Sequence, residues 1–374
     1  MQLSTKLSDR SNNLTAVRLF LSWLVLYGHS YAIIRVPGQF DAVSRFFNHT
    51  WVGAIAVELF FALSGMLVAK SFADRGLVNY TISRILRIYP ALIVCILLSV
   101  VVIGPILTTL PLAEYFGHSE THRYLGNMTL FERISWTLPG IENPHGRSAI
   151  NGSLWTLPVE GRAYVMLAIL GVFGALKSRF VATVIGFGIL IIGFTDPSIL
   201  PFFSQNERWL RPVAYFLLGV LCFKWADEII LSWSLFALAI VVLLLANQSE
   251  HWHVFAAIPL IYATLCIAYL TPLTRMDEHV GDMSYGVYIY AWPVQIFLAI
   301  RTGIDDPVTH WLVATPITLV IAFISWRLIE KPALGLKRPF MQRADQFQAW
   351  VLKRVPQQLR SLRQSGVIAP RDER

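Results

Sequence analysis

Apolar stretches of about 20 residues recur along the whole chain, each long enough at 1.5 Å rise per residue to cross a hydrocarbon core roughly 30 Å thick. Of the 374 residues, 55% are hydrophobic and 14% charged, against roughly 25% charged in soluble domains. Water is not the main solvent of this chain. The expected spans are 14–34, 54–72, 85–110, 157–176, 180–194, 210–225, 229–246, 254–270, 285–300 and 311–329. The expected fold is therefore all-α, a polytopic membrane bundle of about ten transmembrane helices with both termini on one side. Residues 1–13 form a short N-terminal segment, 14–330 the membrane domain and 331–374 a tail. The first apolar run is too long for a signal-peptide core and lacks a small-residue cleavage site, so it reads as a retained span.

Charge placement orients the bundle. Lys6, Lys70, Lys177, Lys224, Lys331, Lys337 and Lys353 are all the lysines, and each falls on the side shared by the termini. By the positive-inside rule that side is the cytoplasm, in bacteria the inner face of the cytoplasmic membrane. The other side carries Arg35, Arg45, Arg123, Arg133, Arg147 and Arg208 without a lysine, balanced by Asp41, Glu114, Glu120, Glu132 and Glu142. From Lys331 onward ten Lys and Arg face three acidic residues. The high isoelectric point thus belongs to a cytoplasmic tail and is no sign of nucleic-acid binding. That tail, with Phe340, Phe347, Trp350 and Val351, suits a membrane surface or plain solvation equally. Cys95, Cys222 and Cys266 lie in apolar runs without metal-ligand spacing and read as core residues. The one long connection, 111–156, is rich in His, Trp, Tyr, Pro and Gly and faces outward. Its aromatics suit sugar stacking or the membrane interface.

Charges inside a bilayer are costly, about 2.5–3.5 kcal/mol at a helix centre, and mark functional sites by default. Arg18 and His29 lie eleven residues apart on the first span, a spacing that leaves them on one face about 16 Å apart along the axis. Arg84 and Arg87 share a face at the cytoplasmic edge of the third span, where paired guanidiniums suit phosphate or simply snorkel. Glu58 and Glu160 enter apolar helices near the level of His29. Either carboxylate suits the task of orienting and stabilising an imidazole that accepts a proton, with an ion pair to a neighbour such as Arg162 as the bland alternative.

These residues sit in blocks that resemble the acyltransferase family 3 membrane proteins, which O-acylate sugars and related acceptors. The blocks are Asn13-Leu14-Thr15-Ala16-Val17-Arg18 with His29, Glu58-Leu59-Phe60-Phe61-Ala62-Leu63-Ser64-Gly65, Arg84-x-x-Arg87, Ser153-Leu154-Trp155-Thr156-Leu157-Pro158-Val159-Glu160, Asp282-Met283-Ser284-Tyr285-Gly286-Val287-Tyr288 and Trp326-Arg327-Leu328-Ile329-Glu330-Lys331-Pro332. Each is weak alone; their order is specific. The resemblance implies an acyl-CoA donor, acetyl-CoA by family frequency, held by Arg18, Arg84 and Arg87, and places His29 at the acyl-transfer centre. It implies an extracytoplasmic carbohydrate acceptor and no metal. Trp155, Tyr285 and Tyr288 fall in the same blocks and are candidate substrate contacts. One departure is visible: many members carry a histidine where this chain has Ala291, with Tyr288 and Tyr290 as nearby polar groups. A transporter or flippase would also hold intramembrane charges, although no inverted repeat or matched pair of broken helices is evident.

Overall fold

The computed structural model describes residues 1–8, 12–47, 49–130, 134–146, 149–195, 209–247, 249, 251–272, 276, 280–343 and 346. Arg133, Arg147, Arg208 and Glu132, and the tail residues Phe347, Trp350, Val351 and Lys353, lie outside the described residues. The described chain is all-helical, its one bridge of strand type joining Gln2 to Ile230. In order, the helices are α1 Leu3–Ser8, α2 Leu14–Ile33, α3 Ala42–Phe46, α4 Val52–Leu98, α5 Gly104–Leu107, α6 Leu112–Gly117 and α7 Ser119–Leu125. They continue with α8 Thr156–Val172, α9 Arg179–Thr195, α10 Leu210–Lys224, α11 Trp233–Ala246, α12 Trp252–Leu270, α13 Ser284–Arg301, α14 Pro307–Ser325 and α15 Lys331–Gly335.

Each expected span falls on helical residues, with one difference in connection. The second and third spans follow one another without a loop inside α4, and the break is a single residue, Gly76, with φ 71° and ψ 177°. A side chain resists that conformation, and glycine does not. Among the described residues, three helical segments suffice by length and composition to cross a membrane: Val52–Leu107, Trp252–Leu270 and Pro307–Arg343. Arg179–Ile192 and Trp233–Ala246 are shorter and equally apolar. The bundle is apolar outside as well as inside: Leu97, Val101, Phe187, Ile191, Leu238 and Leu245 are exposed. In water so much apolar surface would drive association, whereas in lipid it is the required solvent contact. This is a membrane protein.

At the centre, α2 packs between α4 and α13, α13 pairs with α14, and α10 lies along α4. The α4–α10 approach depends on two glycines. A Cβ at Gly65 would stand 2.0 Å from the Phe216 carbonyl oxygen, and one at Gly219 would stand 1.9 Å from that of Ala62. Small residues let helix backbones meet in this way where no hydrophobic effect drives helices together. Gly219→Val should therefore lower stability by at least the about 1–3 kcal/mol typical of overpacking. Gly161, with nothing within 4 Å of its would-be Cβ, should accept Ala without loss. Unfolding midpoints of the two variants in detergent check this, and equal midpoints would remove the close approach from the account.

Part of the described 111–156 connection is built into the core. Tyr115 and Tyr124 are fully buried, Tyr115 donates its hydroxyl proton to Val100 O (2.9 Å), and Asn127 ties Ser135 through both its amide groups. These tyrosines are packing residues, whereas Trp136 is exposed.

Candidate active site

The site begins where three chain segments meet around Asp282. Ser284, the first residue of α13, donates its hydroxyl proton to Asp282 Oδ1 (2.6 Å), which fixes the carboxylate and leaves Oδ2 to two cations. Arg18 Nη1 from α2 lies 2.6 Å away and Arg87 Nη2 from α4 2.8 Å away. Burial alone would raise the Asp282 pKa, but Arg18, Arg87 and the Ser284 donors hold it well below the usual carboxylate range.

Arg87 is further enclosed. Its Nη1 is 3.5 Å from Glu330 Oε2, and its guanidinium lies 5.8 Å from the ring centres of Tyr285 and Trp326. Trp326 and Glu330 reach inward because the end of the α14 helix widens into a π-turn over Trp326–Glu330, an irregularity common at functional sites. Ser325 donates to Glu330 Oε1 (3.2 Å). Two carboxylates thus hold two arginines from separate helices. The helix continues through the expected 330/331 boundary into α15, so the first residues of the basic tail belong to this end of the bundle.

Beside this cluster opens a cavity of about 370 Å³, within the range of about 300–1,000 Å³ usual for small-molecule sites. It follows one face of α4, from Val57 through Phe60, Ser64, Leu67 and Ser71 to Arg75, a rise of about 27 Å at helical pitch. The slot is therefore nearly as long as the hydrocarbon core is thick. Its chemistry is graded. Arg18, Arg75, Arg84, Arg87, Asp282 and Lys337 line the basic end. The middle is walled by apolar side chains such as Phe61, Val68, Ile88 and Leu157. At the far end stand Thr156 and Tyr288, with Glu160 one turn along α8 nearer the arginines.

The far end is held by hydrogen bonds. The hydroxyls of Thr156 and Tyr288 are 2.6 Å apart, and Tyr288 also lies 3.1 Å from Ser153 O. Glu160 accepts a short hydrogen bond from Tyr164, whose hydroxyl is also 2.9 Å from Ser64 Oγ. His29 is buried just beyond. Its neighbour Gly28 abuts Trp51 and Val52 at the start of α4, a turn or more past Val57. One turn past Tyr288 on α13, Trp292 meets the imidazole edge-on at 4.7 Å, and Trp51 lies 6.3 Å away. The imidazole and the slot thus share one line through the bundle, with an aromatic layer at their junction.

The residues singled out in the sequence divide accordingly. Arg18, Arg84, Arg87, Glu160, Tyr285 and Tyr288 line one cavity. His29, Glu58 and Trp155 are outside its lining. Glu58 is turned to α10, where its Oε1 is 3.5 Å from Arg211 Nη1, and Arg211 in turn reaches His253 (2.9 Å). Trp155 packs half-buried against the core. Arg162 lies over the Trp209 ring at 4.5 Å and leaves Glu160 to Tyr164. Ala291 is sealed among Leu26, Val294, Leu298 and Ala314. Tyr290 is engaged by Ser325 (3.3 Å), so of the two tyrosines near Ala291 only Tyr288 faces the slot. Among the described residues no group of three metal-ligating side chains is present.

Sequence reasoning gave no role to Asp282, Glu330, Arg75, Lys337 or Tyr164. The first two stood in view, as acidic residues at the edges of apolar helices. Lys337 stood only among the lysines of the cytoplasmic side and Arg75 was not singled out, and nothing short of the fold brings them together.

Comparison with known proteins agrees with this architecture. The acyltransferase domain of the acyltransferase 3 family matches residues 11–327, and the chain belongs to that family. It is 29% identical over 350 residues to an O-acetyl transferase of Shigella phage Sf6, covering 88% of this chain and 98% of that protein. It is 26% identical over 370 residues to nodulation protein 10 of Rhizobium leguminosarum bv. viciae, covering 90% and 96% respectively. No solved structure gives a significant match. The protein is an acyltransferase of the membrane.

Proposed function

We propose that the protein carries an acyl group, acetyl by family frequency, from cytoplasmic acyl-CoA to a hydroxyl of an extracytoplasmic glycan or glycolipid. The observation that carries this reading is the graded slot. A basic end suits a phosphorylated donor head, an apolar middle suits an uncharged arm, and the far end runs toward a buried imidazole. An O-acetyl transferase among the relatives supports O-acetylation.

In the proposed step His29 takes the proton of the acceptor hydroxyl as its oxygen attacks the thioester carbonyl. The carbon–sulfur bond breaks, the thiolate leaves, and the proton passes from His29 to the sulfur. In this reading Tyr288 and Thr156 offer their hydroxyls to the developing carbonyl charge, and Glu160 offers a negative charge to the imidazolium. The ten-span topology, cytoplasmic termini and bacterial inner-membrane location belong to the same reading, since they put Lys337 and the slot's basic end on the side of the CoA pool.

Sealed vesicles of both orientations test it. Inside-out vesicles given external acetyl-CoA labelled in the acetyl group should release free CoA outside and accumulate acid-stable label on lumenal glycan. Right-side-out vesicles should do neither. Release of CoA by right-side-out vesicles alone would reverse the orientation, and label entering as free sugar or acetate would favour a carrier.

A further inference from the structure

The slot's five cations are not equivalent. Arg18 and Arg87 are held by Asp282 and Glu330 at 2.6–3.5 Å. Arg75, Arg84 and Lys337 line the same cavity and make no ion pair among the described residues. They come from different places: Arg75 precedes the Gly76 break, Arg84 lies beyond it on the second half of α4, and Lys337 follows α15. Asp74, the nearest acid in sequence, is taken by Lys70 at 2.7 Å.

Like charges do not gather without cause. Arg75, Arg84 and Lys337 all line one cavity, so the fold brings three cations of one sign together and gives none of them an ion pair among the described residues. Arg84 also has its Nε buried without a hydrogen-bond partner, while its planar group lies 5.8 Å over the Tyr164 ring. A buried unpaired donor on a cation is a costly feature unless a ligand completes it. Ser71 adds a hydroxyl to the same stretch of wall.

We propose that Arg75, Arg84 and Lys337 form the binding site for the phosphate groups of the donor head, while Arg18 and Arg87 are structural cations locked by Asp282 and Glu330. This rests on the acyl-CoA reading for the ligand's identity. It adds two residues, Arg75 and Lys337, and moves Arg18 and Arg87 from binding to positioning. Lys337 makes the site a composite of the membrane bundle and the segment following its last long helix. Three cations in one cavity match a head that carries several phosphate charges.

The test is equilibrium binding of CoA, 3′-dephospho-CoA and inorganic pyrophosphate to detergent-purified parent, Arg75→Gln, Lys337→Gln and the double variant. Unfolding midpoints serve as a folding control; Arg75 is exposed and Lys337 partly so, and neither supports the core. Each lost charge-assisted contact should weaken CoA binding by about tenfold or more. The dependence of affinity on salt should flatten, the preference for CoA over its dephospho form should shrink, and Arg75→Lys should recover part of the loss. Folded double variants that bind CoA as the parent does would overturn the proposal and leave the acyl-CoA reading intact. A parent that binds pyrophosphate through these residues but not CoA would keep the anion site and overturn the acyl-CoA reading. A parent that binds neither overturns both.

Discussion

His29→Ala is expected to lower acyl transfer by about 10² to 10⁴, the usual contribution of a general base, while donor binding stays at the parental level. The split follows from placement. The cations of the slot line its basic end, and His29 lies past Tyr288 against Trp292 and Trp51, outside the lining. Removing the imidazole therefore takes away a proton acceptor without touching a donor contact. Acidification should act in the same sense, since an imidazole that has taken up a proton cannot accept another. The measurement is single-turnover CoA release alongside CoA affinity on the folded variant. Added imidazole should restore part of the rate if the cavity left by Ala admits it. A folded His29→Ala protein transferring at a near-parental rate would leave His29 as a packing residue between two tryptophans and send the search for the base to Glu160.

Much of this architecture was open to view in the sequence, because a bilayer allows few solutions. Apolar runs of sufficient length have to be helices, and each expected run falls on one. The Gly76 junction was less visible: a connection between two spans was the natural reading of 73–84, and only the backbone shows the helix resuming directly after one glycine. The site was legible where a single helix carries it. The spacing of Arg84 and Arg87 puts both at the slot, yet it could not tell that one is paired and the other is not. That distinction is tertiary, set by Asp282 from the α12–α13 connection and Glu330 from the π-turn after α14. For the same reason the sequence set Glu58 beside Glu160 as an equal candidate. Arg211, 153 residues further along the chain, draws Glu58 toward α10, and no local pattern encodes that pairing.

Asp282→Asn should be among the most damaging substitutions in the chain. The amide keeps the shape of the carboxylate and the Ser284 contact but withdraws the charge that faces two guanidiniums, and breaking a buried pair from one side typically costs about 3–5 kcal/mol. Asp282 keeps 21% of its side-chain surface and Arg18 26%, so solvent should screen part of the loss and bring it toward the lower end. Arg87 retains Glu330 at 3.5 Å, whereas Arg18 loses its one carboxylate partner among the described residues; the coupling energy of Asp282 should therefore be larger with Arg18 than the surface-pair norm of about 0–1 kcal/mol. The pH dependence has a definite sign. A carboxylate whose folded-state pKa lies below its unfolded value of about 3.9 contributes stability that is complete above that value and is lost as pH falls toward the depressed folded value. The parent should therefore lose stability on strong acidification by a component missing from Asp282→Asn. Unfolding midpoints across pH for the parent, Asp282→Asn, Arg18→Gln and the double variant give both results in one experiment. If Arg18 and Arg87 are donor ligands first, freeing them should tighten CoA binding at little cost in stability. If they are structural, as the geometry of Asp282 and Glu330 assigns them, the single variants should lose folded protein and the double variant should recover part of it.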